Sequence, residues 1–214
     1  MIYPNCIPKI DELKQSLDHH RPLSQDVLKK LKEYYRVSLT YTSNALEGNS
    51  LTETETKIVL EDGITIGGKP VKDHLEAIGH SDAYSLLYDF AKGKKIKEED
   101  ILALHHLFYF RIDPEQAGQY RKENVVITAA PFTPPPFSQV PELMKKWMTS
   151  LPRLQKKYHS VEFATLLHKD FVTIHPFVDG NGRTARLLMN LVFYRRDMSS
   201  RLFRQLSEAN TLTP

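Results

Sequence analysis

"SVEFATLLHKDFVTIHPFVDGNGRTARLLMNLVFYRR" occupies residues 160–196. Its first part sets Phe163, Leu166, Leu167, Phe171 and Ile174 on one helical face, the 3.6-residue rhythm of an amphipathic helix. Ser160 is the expected N-cap, with Glu162 in the first turn. Pro176 disfavours helical geometry at the residue before it, so the helix should break at His175. "DGNG" makes a turn, and "RTARLLMNLVFYRR" resumes as the last strong helix. Helix, break, helix is the pattern on which the rest of the reading is built.

The same rhythm recurs upstream. Residues 71–93 space Leu75, Ile78, Leu86, Leu87 and Phe90 as one apolar stripe and stop at Gly93. Residues 98–110 repeat it through Ile101, Leu104, Leu107 and Phe108. Residues 138–158 run Val140, Leu143, Met144, Trp147, Leu151 and Leu154, with Pro141 suited to a first turn and Pro152 a point of kinking or division. Thr52 and Glu55 stand at capping-box spacing, and that helix should close at Asp62–Gly63. Only "ENVVITAAPFTPPPF", residues 123–137, reads as extended. The expected fold is all-α, a helical bundle carrying one β-hairpin.

Composition bounds the function. The 214 residues suit one sizeable core, and 41% hydrophobic with 26% charged content is ordinary for a soluble protein. A net charge of +3 is too weak to argue for a nucleic-acid partner. No apolar run reaches the ~18 residues of a membrane span. The N-terminus lacks the order of a secretory signal, and the single Cys6 excludes an internal disulfide. A cytoplasmic location is expected.

The break at 175–186 concentrates chemistry. His175 falls where its ring is free to face a pocket. The glycines let backbone N–H groups converge at a helix N-terminus, a ready anion cradle. Asp179 is a hard oxygen ligand suited to Mg²⁺. Arg183 and Arg186, at i and i+3, should project their guanidinium forks from one side of the first turn. Each feature alone has a bland reading: a structural histidine, a turn aspartate, a solvated pair of arginines, a Gly-Asn-Gly turn. Together they describe a phosphate site with a general base beside it.

"HPFVDGNGRTAR" resembles the signature of the Fic family, His-Pro-Phe-x-Asp/Glu-Gly-Asn-Gly-Arg-x-x-Arg, at every specified position. "AGQYRKENVVITAAPFTPPP" is similar to that family's Gly-x-Tyr/Trp-Arg segment and β-hairpin flap, so the resemblance takes in most of residues 34–196. It implies a Fic-type helical bundle that transfers AMP from Mg–ATP to a Ser, Thr or Tyr hydroxyl of a target protein. By position it implies His175 as general base and Asp179 as the Mg²⁺ ligand. Gly180, Asn181 and Gly182 would bind phosphate, with Arg183 and Arg186 on the β- and γ-phosphates. Kinase relatives carry Lys where this chain has Gly182. Asn210, in "SEAN", stands for the nucleoside contact, at a spacing that looks short.

"SNALEG", residues 43–48, sets Ser43 and Glu47 at i and i+4 and ends on Gly48. The plain reading is a solvated glutamate at a frayed helix end. The segment also resembles the family's inhibitory motif, Ser/Thr-x-x-x-Glu-Gly/Asn. That implies Glu47 competing with the γ-phosphate for Arg186, with self-modification and removal of AMP as further activities. The expected organisation is one Fic-type domain: an N-terminal region over 1–62 with the inhibitory helix, a core over 63–196 and a tail over 197–214. Expected partners are ATP and a target protein docking on 128–137, with no nucleic acid and no membrane; a homodimer is left open. The alternatives are a Fic enzyme using another nucleotide diphosphate donor, and an ATP-binding regulatory module without transfer.

Weaker signals are set aside. "GITIGGKP" at 63–70 nearly spells a phosphate loop, but Pro70 stands where Ser or Thr is needed. His105 and His106 lack partners at zinc spacing and are read as packing residues.

Overall fold

The computed structural model describes residues 6–93, 95–127 and 132–198. The helices run in the order α1 (Ile7–Asp18), α2 (Gln25–Ala45), α3 (Glu53–Lys57), α4 (Val71–Ala91), α5 (Glu98–Tyr109), α6 (Val140–Lys157), α7 (Ser160–Ile174) and α8 (Asn181–Met198). A π-helical turn, Ile58–Asp62, extends α3, and a 3-10 turn, Phe137–Gln139, leads into α6. Among the described residues there is no strand, and the all-α reading holds. The expected β-hairpin falls on a segment whose arms run irregularly over 124–127 and 132–136, and residues 128–131 lie outside the described ones.

Local signals set most boundaries. Thr52 and Glu55 form the capping box of α3, and Gly63, left-handed at φ 67°, closes the π-turn. Pro152 does not divide α6; it lies on the exposed face of a helix that runs unbroken from Val140 to Lys157. The cap of α7 is one residue earlier than expected. His159 is the N-cap, its Nδ1 accepting from the Val161 N–H, while Glu162 accepts from the His159 N–H. Ser160 is thereby the first helical residue, and its hydroxyl instead meets Arg196.

The core forms where α4, α5, α7 and α8 pack together. Tyr84, Leu87, Ile101, Leu104, Phe108, Phe171, Phe177 and Leu188 are among its largest fully enclosed members. The stripe expected on α4 is off by a fraction of a turn. Leu75, Ile78 and Leu86 are only half-buried, whereas Glu76, Ala77, His80, Ala83 and Tyr84 are buried. Contacts with α2, α5 and α8 surround α4, so no single stripe describes it. Its inward polar groups have partners: His80 Nδ1 lies 3.0 Å from Thr40 Oγ1, and Glu76 is ion-paired. Glu76 is thereby satisfied, whereas His80 is paired through Nδ1 alone and its buried Nε2 has no hydrogen-bond partner among the described residues. This arrangement delivers the α7–α8 junction, held from below, to the end of α2.

Candidate active site

The α7–α8 junction is braced through its backbone. His175 adopts left-handed geometry, φ 53° and ψ 61°, and is the one non-glycine with positive φ among the described residues. Such geometry is disfavoured unless its surroundings impose it. Arg121, 2% exposed, does much of the imposing. Its Nε donates to the His175 carbonyl at 2.8 Å, Nη1 to Glu123 O at 2.9 Å and Nη2 to Pro135 O at 2.5 Å. Its own backbone N–H donates to Pro176 O at 2.9 Å. One side chain thus ties the junction to Glu123, just before the 124–136 segment, and to Pro135 in its second arm.

His105 braces the next turn. Its Nδ1 accepts from the Gly118 N–H at 2.9 Å, so its proton sits on Nε2, which donates to Asp179 O at 3.1 Å. The ring stacks on Phe177 with centroids 3.7 Å apart. Burial pushes its pKa down to about 4. Asn181 closes the turn on itself: Oδ1 accepts from the Phe177 N–H at 2.9 Å and Nδ2 donates to Phe177 O at 2.8 Å. Gly180 is left-handed, and a Cβ there would stand 2.7 Å from Phe108 Cε1, so nothing larger fits.

The reactive groups sit on this frame. His175 Nδ1 lies 3.2 Å from Val172 O, and a carbonyl only accepts, so Nδ1 carries the hydrogen and Nε2 holds a lone pair. Burial lowers the pKa of the ring, which keeps it neutral near pH 7. The α8 N-terminus, with Asn181 and Gly182 as its first residues, offers unpaired backbone N–H groups and partial positive charge.

The two arginines diverge where the sequence suggested a common side. Arg183 is 2% exposed. Its Nη1 is 2.9 Å from Glu76 Oε1, its Nη2 is 3.2 Å from Asp179 Oδ1, and its guanidinium lies 4.2 Å over the Phe108 ring. It is an inner brace. Arg186 faces outward to α2: Nε donates to Ser43 Oγ at 2.9 Å, and Nη2 to Ser43 O at 2.9 Å and to Glu47 Oε1 at 2.6 Å. The difference follows from burial, since α8 turns position 183 toward α4 and position 186 toward the cleft. The Glu47 carboxylate also lies over the first turn of α8, 2.4 Å from where a Gly182 Cβ would be. An acidic side chain therefore rests on the anion cradle.

Asp179 is 40% exposed. Its Oδ1 accepts from the Gly180 N–H and from Arg183, while Oδ2 takes no hydrogen bond among the described residues. One oxygen is held and the other is offered. No cluster of three or more His, Cys, Asp or Glu occurs among the described residues. A single carboxylate fits Mg²⁺, an ion that keeps waters and shares substrate phosphates rather than sitting in an all-protein cage. Asn210 lies outside the described residues.

A family model described as "Fic/DOC family" matches residues 95–193. In fold, the chain is similar to a Fic domain-containing signalling protein from Bacteroides thetaiotaomicron: TM-score 0.80, 31% identity, over 87% of this chain and 73% of that one. The chain belongs to the Fic/DOC family. A second Fic structure, Fic-1 (residues 134–508) from C. elegans, superposes with TM-score 0.73 at 29% identity, covering 89% of this chain and 60% of that one. Among curated Fic proteins, a protein adenylyltransferase Fic of Nematostella vectensis is 33% identical over 88% of this chain, and its namesake in Drosophila yakuba 32% over 89%. This chain spans 44% and 40% of their lengths.

Four residues that hold the Fic junction were given no role from sequence: Glu76, Arg121, Asn49 and Asn44, whose Oδ1 accepts from Arg183 Nη1 at 3.5 Å. Two local signals were present: Glu76, an acid on a helix face that otherwise reads as core, and Arg121, the last residue of the Gly-x-Tyr/Trp-Arg segment. His105 was read as packing; it packs, and also fixes the loop through both ring nitrogens. No helix among the described residues is long and apolar enough to cross a membrane.

Proposed function

We propose that this chain transfers AMP from ATP to a hydroxyl group on a protein, and that Glu47 restrains it. The observation that carries the reading is a neutral His175, with its Nε2 lone pair available, beside a helix N-terminus already covered by a carboxylate. The names of the Fic adenylyltransferases it resembles support the same reaction.

In this reading, phosphate oxygens take the place of the Glu47 carboxylate at the first turn of α8, on the N–H groups of Asn181 and Gly182. Arg186 meets the outer phosphates. Asp179 Oδ2 would hold Mg²⁺, which when bound neutralises phosphate charge. His175 Nε2 takes the proton of the incoming hydroxyl. The hydroxyl oxygen bonds to the α-phosphorus, the α–β anhydride bond breaks, and pyrophosphate leaves. Residues 128–137 would dock an extended stretch of the target, its hydroxyl presented to His175.

With Glu47 on Arg186, the triphosphate cannot settle for in-line attack. The restraint is charge competition, with self-modification the first activity expected on release. The test is incubation of the wild type and Glu47→Gly with ATP labelled at the α- or the γ-phosphate, followed by intact-mass measurement. The α-label and the mass of AMP should appear on protein in the variant. Label from the γ-position alone would make the chain a kinase, and no transfer under any condition would leave a nucleotide-binding module.

A further inference from the structure

Between the two halves of the site lies a carboxylate that the proposed reaction does not use. Glu76, on α4, is 5% exposed. Its Oε1 is 2.9 Å from Arg183 Nη1, and its Oε2 accepts from Asn49 Nδ2 at 2.9 Å. Both neighbours are donors, and neither can turn its polarity around. A guanidinium has no acceptor. The Asn49 amide is pinned, because its Oδ1 accepts from the Leu51 N–H at 3.0 Å and its Nδ2 also donates to Asp73 O at 3.0 Å. Only a group that accepts at both ends fits. Glutamine would set N–H against N–H on one side.

The anchorage runs onward in two directions. Arg183 carries it to Asp179 Oδ1 at 3.2 Å, and the Phe108 ring beneath the guanidinium fixes its plane. Asn49 carries it to the segment just after Glu47, where Ser50 is bound through both its N–H, at 2.7 Å, and its hydroxyl, at 2.6 Å, to Asp73 Oδ2. A buried ion pair of this kind contributes little to stability compared with apolar residues of the same volume. What it supplies is orientation.

We propose that Glu76 is the positioning residue of the junction: acting through Arg183, it holds Asp179 with one oxygen occupied and the other presented to the metal. The inference rests on Asp179 being the Mg²⁺ ligand. Carboxylates that ligate a metal depend on their own hydrogen-bond partners, whose loss weakens metal affinity by about 10- to 100-fold. A second consequence follows. The segment after Glu47 is fastened to the same carboxylate, so relief of inhibition involves Glu47 and the end of α2, with residues 49–51 staying in place.

The experiment uses the full chain carrying Glu47→Gly, so that loosening of the restraining segment cannot enter. Calorimetry measures ATP binding with Mg²⁺ and, separately, with the metal chelated. Glu76→Gln should weaken Mg–ATP about tenfold and leave metal-free ATP within about twofold. Arg183→Lys keeps a charge beside Glu76 but lacks the second arm that reaches Asp179; it should show the same selective loss, and it serves if the glutamine variant does not fold. In an Asp179→Ala background neither change should weaken Mg–ATP further. Equal losses with and without metal would make Glu76 a folding residue and overturn the proposal, as would a full effect persisting without Asp179. An Asp179→Ala variant with normal Mg²⁺ dependence would remove the metal ligand and this inference together. AMP transfer by Glu47→Gly, measured alongside, tests the reaction separately.

Discussion

Replacing Glu47 by glycine removes the carboxylate that holds Arg186 and covers the first turn of α8. The size of the effect follows from the contact. A hydrogen bond to a charged group contributes about 1.5–3 kcal/mol, and the 2.6 Å separation places this one among the strong pairs. Both partners keep solvent contact, with Glu47 33% and Arg186 23% exposed. Screening moves the estimate to about 1–1.5 kcal/mol, which is about a five- to tenfold difference in an equilibrium. Arg186 does not go slack when Glu47 is gone, because Ser43 still accepts from it twice at 2.9 Å. The freed fork remains aimed at the cleft, so little ordering cost offsets the gain. Glu47→Gly should therefore bind Mg–ATP about five- to tenfold more tightly by calorimetry. Transfer should rise by at least that factor at low ATP, and by more where the triphosphate also gains in-line geometry. Adding Arg186→Ala should cancel the gain in affinity. Equal affinity and equal transfer by wild type and Glu47→Gly across a range of ATP concentrations would refute the reasoning and leave "SNALEG" a helix end.

His175→Ala should lower transfer by about 10²–10⁴ while ATP affinity stays within about twofold, because the phosphate contacts come from other residues; parallel losses of affinity and rate would make the histidine a binding group. The acidic limb of the rate profile should fall below the ordinary histidine value of ~6.5, since burial lowers the pKa of His175 and only its neutral form is a base; a limb above that value would assign the profile to another group. His105, at about 4 in the fold, is protonated earlier in the unfolded chain. Stability should therefore drop as pH falls from ~6.5 to ~4, by about 3 kcal/mol from this residue. His105→Gln should flatten that slope in urea titrations, and an unchanged slope would clear His105 of the effect. Gly180→Ala should lower stability and transfer together, because its Cβ would strike Phe108; a variant as stable and active as wild type would show that the junction yields.

Much of this was legible in the sequence, and the rest was hidden for definite reasons. Helix periodicity found α4 to α8, and Pro176 located the break, because both signals are local. The chemical groups of the junction were legible as residue types at fixed spacing. Their orientation was not. Arg183 and Arg186 look equivalent on a helical wheel, and only the packing of α8 on α4 buries one and leaves the other facing α2. The register of α4 misled for a related reason. A helix surrounded by three others has no single apolar stripe, and its inward positions hold Glu76 and His80, which a hydrophobicity pattern assigns to solvent. Arg121 stood in the Gly-x-Tyr/Trp-Arg segment, but its partner 54 positions away, like that of Asn49 27 positions away, lies where no local pattern reaches.

The braces of the α7–α8 junction share one property. Arg121 grips the carbonyls of His175 and Pro176, His105 grips that of Asp179, and Asn181 grips both backbone groups of Phe177. At position 175 the neighbouring side chains grip the main chain, so the backbone there is held independently of the ring that projects from it. An unbranched side chain at position 175 would meet the same backbone frame, less the bond the ring makes to Val172 O. Support falls on the backbone, and so the ring at position 175 can be exchanged in a variant without the junction being rebuilt.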